Sequence, residues 1–167
     1  QTLKTMIDLM VINNYHTILE IGTAYGYSAF AMAELDCVTK ITTLEKRQAN
    51  YDVACTNLLD RPKVKCILED AFEFQTKEKY DFIFIDGAKS YQEILFEKYT
   101  KHLNPNGMIF IDNIFLKKYS CGLVDLTQAQ LQLVPKVQNF ERYLRDLKDW
   151  DVQIRDVDDG YAICRRK

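Results

Sequence analysis

Apolar residues recur along the chain in two alternating rhythms. Leu3 to Ile12 carries them at helical spacing and ends at Asn13-Asn14, whereas Thr17 to Ile21 is a short strand running straight into Gly22. Ser28 to Leu35 reads as a helix, Lys40 to Leu44 as the next strand, and Ala49 to Leu59 as a second long helix stopped before Pro62. Val64 to Leu68 is the third strand. Tyr80 to Ile85 is the fourth, so nearly continuous in its apolar character that both of its faces should be buried. Tyr91 to Leu103 is helical and closed by Asn104-Pro-Asn-Gly107, residues suited to a turn; Met108 to Ile111 is the fifth strand. Phe115 to Val134 is the least regular stretch, and Lys136 to Leu147 is an amphipathic helix. Trp150 to Val157 and Tyr161 to Cys164 form a hairpin around Asp158-Asp-Gly160.

Strands alternating with helices predict βαβ units and a parallel sheet. The expected fold is α/β and Rossmann-like: a mostly parallel seven-stranded sheet, helices on both faces, the last hairpin supplying its antiparallel edge. The pattern shows no repeat, low-complexity tract or linker, so 1–167 is expected to be one domain. The start in a helical pattern at Gln1, without methionine, leaves room for further N-terminal helices.

The chemistry concentrates where these strands end. Glu20-Ile-Gly-Thr-Ala-Tyr-Gly-Tyr-Ser28 joins the first strand to the next helix. Its glycines let the backbone turn sharply and approach a ligand, and the carboxyl edge of an open α/β sheet is where ligands bind. The spacing is E-x-G-x-x-x-G, not the G-x-G-x-x-G of dinucleotide binders, and an acid ahead of the first glycine suits a cationic group better than a pyrophosphate. Glu45 follows the second strand, placed to accept both ribose hydroxyls of an adenosine, and Asp70-Ala71 follows the third, where an adenine edge would fall. Each alone could be an ordinary surface acid; three at successive strand ends point to a nucleoside site.

Asp86 ends the fourth strand and Asp112-Asn113 the fifth. Two carboxylates and an amide oxygen are hard ligands suited to Mg²⁺ or another divalent cation. Such residues also end strands simply because they favour turns, so the set carries more weight than any member. Lys89, three residues past Asp86, would stand beside the metal and could take the proton of a polarised hydroxyl.

Ile18-Leu-Glu-Ile-Gly-Thr-Ala-Tyr-Gly-Tyr-Ser28, Phe84-Ile-Asp-Gly-Ala-Lys89 and Ile111-Asp-Asn-Ile114 resemble the motifs of the metal-dependent, catechol-type class I O-methyltransferases. Within that group the likeness is greatest to the bacterial tRNA 5-hydroxyuridine methyltransferases, through Ala88-Lys-Ser-Tyr-Gln92, the helix around Asn139-Phe-Glu-Arg-Tyr143, and Asp159-Gly-Tyr-Ala-Ile163. The resemblance implies S-adenosylmethionine held by Glu20, Gly22, Thr23, Ser28, Glu45, Asp70, Ala71 and Asp86. It implies a metal on Asp86, Asp112 and Asn113, and Lys89 as the base. It also implies the wobble uridine of a tRNA anticodon loop as acceptor, with a small catechol-like phenol as the alternative. Relatives carry extra N-terminal helices, and Ile114 to Gly122 departs from the family pattern, which leaves the substrate loop open.

Composition narrows the remaining choices. A net charge of −2 and a pI near 5.7 give no global positive field for a nucleic acid, although Lys117, Lys118, Lys136, Arg142, Arg145 and Arg165 to Lys167 could form a local basic rim. The five cysteines are odd in number and scattered, which fits free thiols in a reducing cytoplasm better than disulfides or zinc. No apolar run is long enough for a membrane span. His16 and His102 have no partner at ligand spacing. A homodimer is compatible with the sequence, and a dinucleotide-binding oxidoreductase is the remaining reading, disfavoured by the glycine spacing and the metal trio.

Overall fold

A computed structural model describes residues 1–115 and 127–167. The elements are α1 (Thr2–Ile12), β1 (Thr17–Ile21), α2 (Tyr27–Ala33), β2 (Lys40–Glu45), α3 (Gln48–Asn57), β3 (Val64–Leu68), β4 (Tyr80–Ile85), a 3₁₀ turn (Lys89–Tyr91), α4 (Gln92–Thr100), β5 (Leu103–Asp112), α5 (Gln128–Asp146), β6 (Trp150–Arg155) and β7 (Tyr161–Arg166). The seven strands form one sheet in the order β3-β2-β1-β4-β5-β7-β6. The first five are parallel, and β7 inserts antiparallel between β5 and β6. This is the expected Rossmann-like α/β sheet with its antiparallel C-terminal hairpin.

Side-chain alternation explains why β4 and β5 read as continuous apolar runs. Phe82, Phe84, Met108 and Phe110 point to one face, where they pack with Met6 and Met10 of α1 and Met32 of α2. Ile83, Ile85, Ile109 and Ile111 point to the other, against Leu95, Phe96 and Tyr99 of α4 and Phe140 and Leu144 of α5. Phe82 and Phe110 are fully buried, each contributing about 1.5–3 kcal/mol by removal from water.

Three elements depart from the sequence expectation. The fourth helix ends at Thr100, and Asn104-Pro-Asn-Gly107 lies inside β5 instead of forming a turn outside it. The β4–β5 register there jumps from Tyr80↔Leu103 to Phe82↔Met108, so the four residues form a bulge. Asp81 holds the bulge by accepting from Asn104 Nδ2 at 2.7 Å, and a Cβ on Gly107 would stand 2.8 Å from the Asp81 carbonyl oxygen. The last helix starts at Gln128, not Lys136, and runs through Pro135, whose missing N–H removes one hydrogen bond without ending a helix packed on α4. Finally, β7 extends to Arg166, which sends Arg165, Arg166 and Lys167 to the amino end of the parallel strands, away from the edge bearing the motifs. Arg165 donates to Asn13 Oδ1 and Arg166 to the Thr100 carbonyl, so this part of the expected basic rim belongs to the opposite end of the sheet.

Among the described residues no helix is long and apolar enough to cross a membrane. Cys37, Cys55, Cys66 and Cys164 are free thiols, while Cys121, Lys117, Lys118 and most of the unassigned substrate loop lie outside the described residues.

Candidate active site

At the end of β1 the chain turns through Gly22, with φ +102°, and a Cβ there would lie 2.7 Å from the Asp86 carbonyl oxygen. Only glycine lets the ends of β1 and β4 approach so closely. The Gly22 and Thr23 amides both donate to the Leu44 carbonyl, at 3.0 and 3.1 Å, so these two residues shape the site rather than offer their N–H groups to a ligand. Thr23 is buried, its hydroxyl 2.6 Å from that of Thr43.

Glu20 points inward from β1 and is fully buried. Ser28 and Thr43 donate their hydroxyls to its two carboxylate oxygens. Burial pushes its pKa up to about 7, the neighbouring Asp86 charge adding to the rise and the two hydroxyls opposing it. Such a group awaits a positive partner. Thr43 was not among the residues singled out by sequence; its signal is a pair of threonines, Thr42-Thr43, between Ile41 and Leu44 in β2.

Glu45, at the end of β2, is fixed by two backbone donors: the Ala24 N–H on Oε2 at 2.9 Å and the Arg47 N–H on Oε1 at 2.8 Å. Each oxygen keeps a lone pair for a further donor, such as one of two adjacent hydroxyls. Asp70 caps its own turn through the Phe72 N–H and stands 3.7 Å from Lys46 Nζ. The Ala71 carbonyl accepts from Tyr99 Oη and Lys98 Nζ, which fixes the loop after β3.

Two cavities meet on these residues. One, of about 360 Å³, is lined by Gly22, Ala24, Glu45, Asp70, Ala71, Asp86 and Lys89 among others. The second, of about 270 Å³, runs under α1 between Thr2, Leu3, Met6, Thr23, Ser28, Asp86 and Asp112. Gly22, Ala24 and Asp86 belong to both, so an elongated ligand could cross from one to the other over the glycine turn.

Beyond that crossing lie the ends of β4 and β5. Burial raises the Asp86 pKa to about 6, the Asp112 charge adding to it and Lys89 opposing. Burial raises that of Asp112 too, opposed by the Asn113 N–H and Lys89. Asn113 has φ +60° and Ala88 φ +46°, two non-glycine residues in left-handed backbone at one small site. Lys89 Nζ donates to Asn113 Oδ1 and stands 4.0 Å from Asp86 Oδ1. Lys89 thus reaches two of the three candidate ligands, Asn113 and Asp86. Those three suit a divalent cation: hard oxygens from two carboxylates and an amide. Among the described residues no three His, Cys, Asp or Glu side chains cluster, and the third candidate ligand here is accordingly an asparagine.

The structure brings together every residue singled out at the sheet edge. It leaves the histidines outside: His16 and His102 contact the backbone carbonyls of Cys37 and Glu78 at the far end of the sheet. Gln92, noted in the sequence only as the end of the Ala88–Gln92 motif, was given no role there. It is buried at the start of α4 and donates from Nε2 to the Asp112 carbonyl at 2.9 Å, a tertiary contact with no local sequence signal.

This fold and edge define a methyl-transferring class of enzyme. The chain belongs to the O-methyltransferase family, whose pattern matches residues 1–167. It is 32% identical to a putative caffeoyl-CoA O-methyltransferase from Staphylococcus aureus, with a TM-score of 0.89 over 99% of this chain and 83% of that one. An S-adenosylhomocysteine-bound methyltransferase from Podospora anserina shares the fold at 24% identity and a TM-score of 0.85, over 99% of this chain and 77% of that one. Tapetum-specific methyltransferase 1 of Arabidopsis thaliana is 27% identical over 95% of this chain and 72% of its own length.

Proposed function

We propose that this O-methyltransferase uses S-adenosylmethionine and a divalent cation to methylate 5-hydroxyuridine at the wobble position of tRNA. The observation that carries the chemistry is the meeting of two cavities at Gly22 and Asp86, directly beside Asp112, Asn113 and Lys89. Glu45 and the Asp70-Ala71 loop hold the adenosine end in the larger cavity. Glu20, behind Ser28, supplies the negative charge that balances the methionyl amino group in the smaller one. S-adenosylmethionine, when bound, supplies the electrophilic methyl group.

Asp86, Asp112 and Asn113 would hold the cation, which supplies a Lewis acid that lowers the pKa of an adjacent hydroxyl. In its neutral amine form Lys89 would take the proton of the acceptor hydroxyl, freeing that oxygen to receive the methyl group. Rate enhancement comes from holding two reactants in line. The acceptor base carries adjacent oxygens at C4 and C5, as a catechol does. Exposed Tyr25, Tyr27 and Tyr91 around the opening offer faces on which loop bases can stack.

The second reading keeps the chemistry and replaces the nucleotide with a small catechol-like phenol. It is favoured by the likeness to the S. aureus caffeoyl-CoA-type protein and by the position of Arg165 to Lys167 away from the site. The deciding experiment incubates the protein with S-adenosylmethionine, Mg²⁺ and tRNA rich in 5-hydroxyuridine, then weighs the released nucleosides. Conversion to 5-methoxyuridine is expected. Efficient methylation of catechol or caffeate with unmodified tRNA would leave the chemistry standing and overturn the acceptor.

A further inference from the structure

Next to the methyl-transfer centre lies a third cavity, of about 220 Å³, between the Lys89–Tyr91 turn and α5. Lys89 lines both this cavity and the larger cofactor cavity, so it stands at the boundary between them. Gln92, Lys136, Asn139 and Phe140 complete much of the wall.

Gln92 is the unusual member. It is 1% exposed, and its amide orientation is fixed because Nε2 donates to the Asp112 carbonyl. Turning the amide over would set two oxygens against each other. Its Oε1 is buried and has no hydrogen-bond partner among the described residues. A buried amide oxygen without a donor is costly, and an N–H or O–H of a ligand would relieve it. Donors flank it. Lys136 Nζ lies over the Tyr91 ring, 5.3 Å from its centroid, and the Asn139 amide, whose oxygen accepts from Arg142, can offer N–H. The wall thus combines the Gln92 oxygen and the Glu93 carboxylate as acceptors with Lys136 and Asn139 as donors.

We infer that this cavity is the acceptor's recognition subsite, in which Gln92 Oε1 accepts an imide N–H while Lys136 and Asn139 donate to a carbonyl oxygen beside it. This deepens the proposed function and rests on it. A uracil ring carries such an edge, an N3–H between two carbonyls, whereas a catechol ring carries no N–H at all. Gln92 is thus a specificity-determining residue that separates the two acceptor classes one metal site could serve.

The test keeps the protein intact and changes the substrate. A synthetic anticodon stem–loop carries 5-hydroxyuridine or its N3-methyl analogue at the wobble position. Each is offered to the wild type and to Gln92→Met, with equilibrium binding of the stem–loop measured beside kcat/KM. For the wild type, N3-methylation should weaken binding and lower kcat/KM by about ten- to a hundred-fold. In Gln92→Met the two substrates should differ by less than about two-fold, even if the lost contact to Asp112 slows both. Methylation of 5-hydroxyuridine with an equal N3-methyl penalty in both proteins would overturn the Gln92 assignment and leave the acceptor class intact. Turnover of catechols with neither stem–loop bound nor methylated would overturn the acceptor class itself, and the subsite with it.

Discussion

Glu20 shows how one residue can report on the cofactor. Its folded-state pKa lies near 7, above the ordinary 4.5, so between those values the folded protein holds a proton that the unfolded chain has released. Stability from this group is therefore full below about 4.5 and lost as pH rises toward 7. A bound α-ammonium reverses the preference by stabilising the carboxylate, so cofactor binding should expel the proton. Titration calorimetry with S-adenosylhomocysteine is expected to show affinity rising with pH up to about 7 and then levelling, with proton uptake by the buffer below that point. Glu20→Gln should bind more weakly and lose the pH dependence. A flat profile in the wild type would remove Glu20 from the ammonium site.

At the scale of the element, α5 connects the site to whatever lies outside it. Phe140 and Leu144 anchor its inner face, while Arg142 and Arg145 remain on its outer one. Arg145 is already paired with Glu141 at 2.8 Å, an exposed i,i+4 contact worth a few tenths of a kcal/mol, which leaves it nearly free to exchange that partner for a phosphate. Reversing both charges, Arg142→Glu with Arg145→Glu, is expected to weaken tRNA methylation several-fold and flatten its dependence on salt. Cofactor affinity should be unchanged, because neither side chain lines the cofactor cavities. An unaltered salt slope would exclude this face from the tRNA path.

The molecule as a whole places a carboxylate pair where no single element could. Asp86 and Asp112 are 26 residues apart, and they meet because β4 and β5 are adjacent parallel strands ending at the same level, Ile85 opposite Ile111. Asp112→Ala should abolish both turnover and its response to added Mg²⁺. Cofactor affinity should stay within a few-fold, since Glu20, Glu45 and the glycine turn lie on other strands. Full activity in excess chelator would overturn the role of the cation.

Much of this was legible in one dimension. The nearly continuous apolar run of β4 announced burial on both faces, and acids at successive strand ends announced a ligand edge, because backbone periodicity and strand polarity are local properties. The bulge at Asn104–Gly107 was not legible, since a Pro-Asn-Gly sequence reads as a turn until Asp81 on the neighbouring strand ties it into the sheet. The start of α5 was hidden by Pro135, which tertiary packing tolerates and propensity alone does not. Gln92 was visible only as the last residue of the Ala88–Gln92 motif; its role was not, because it depends on a carbonyl twenty residues away and on a cavity it shares with α5. The sequence by itself determined the order of strands and helices and the chemical character of the sheet edge. Only the tertiary structure decided which acceptors remain unspent there, because a hydrogen-bond partner is settled by distance in space and not by distance along the chain.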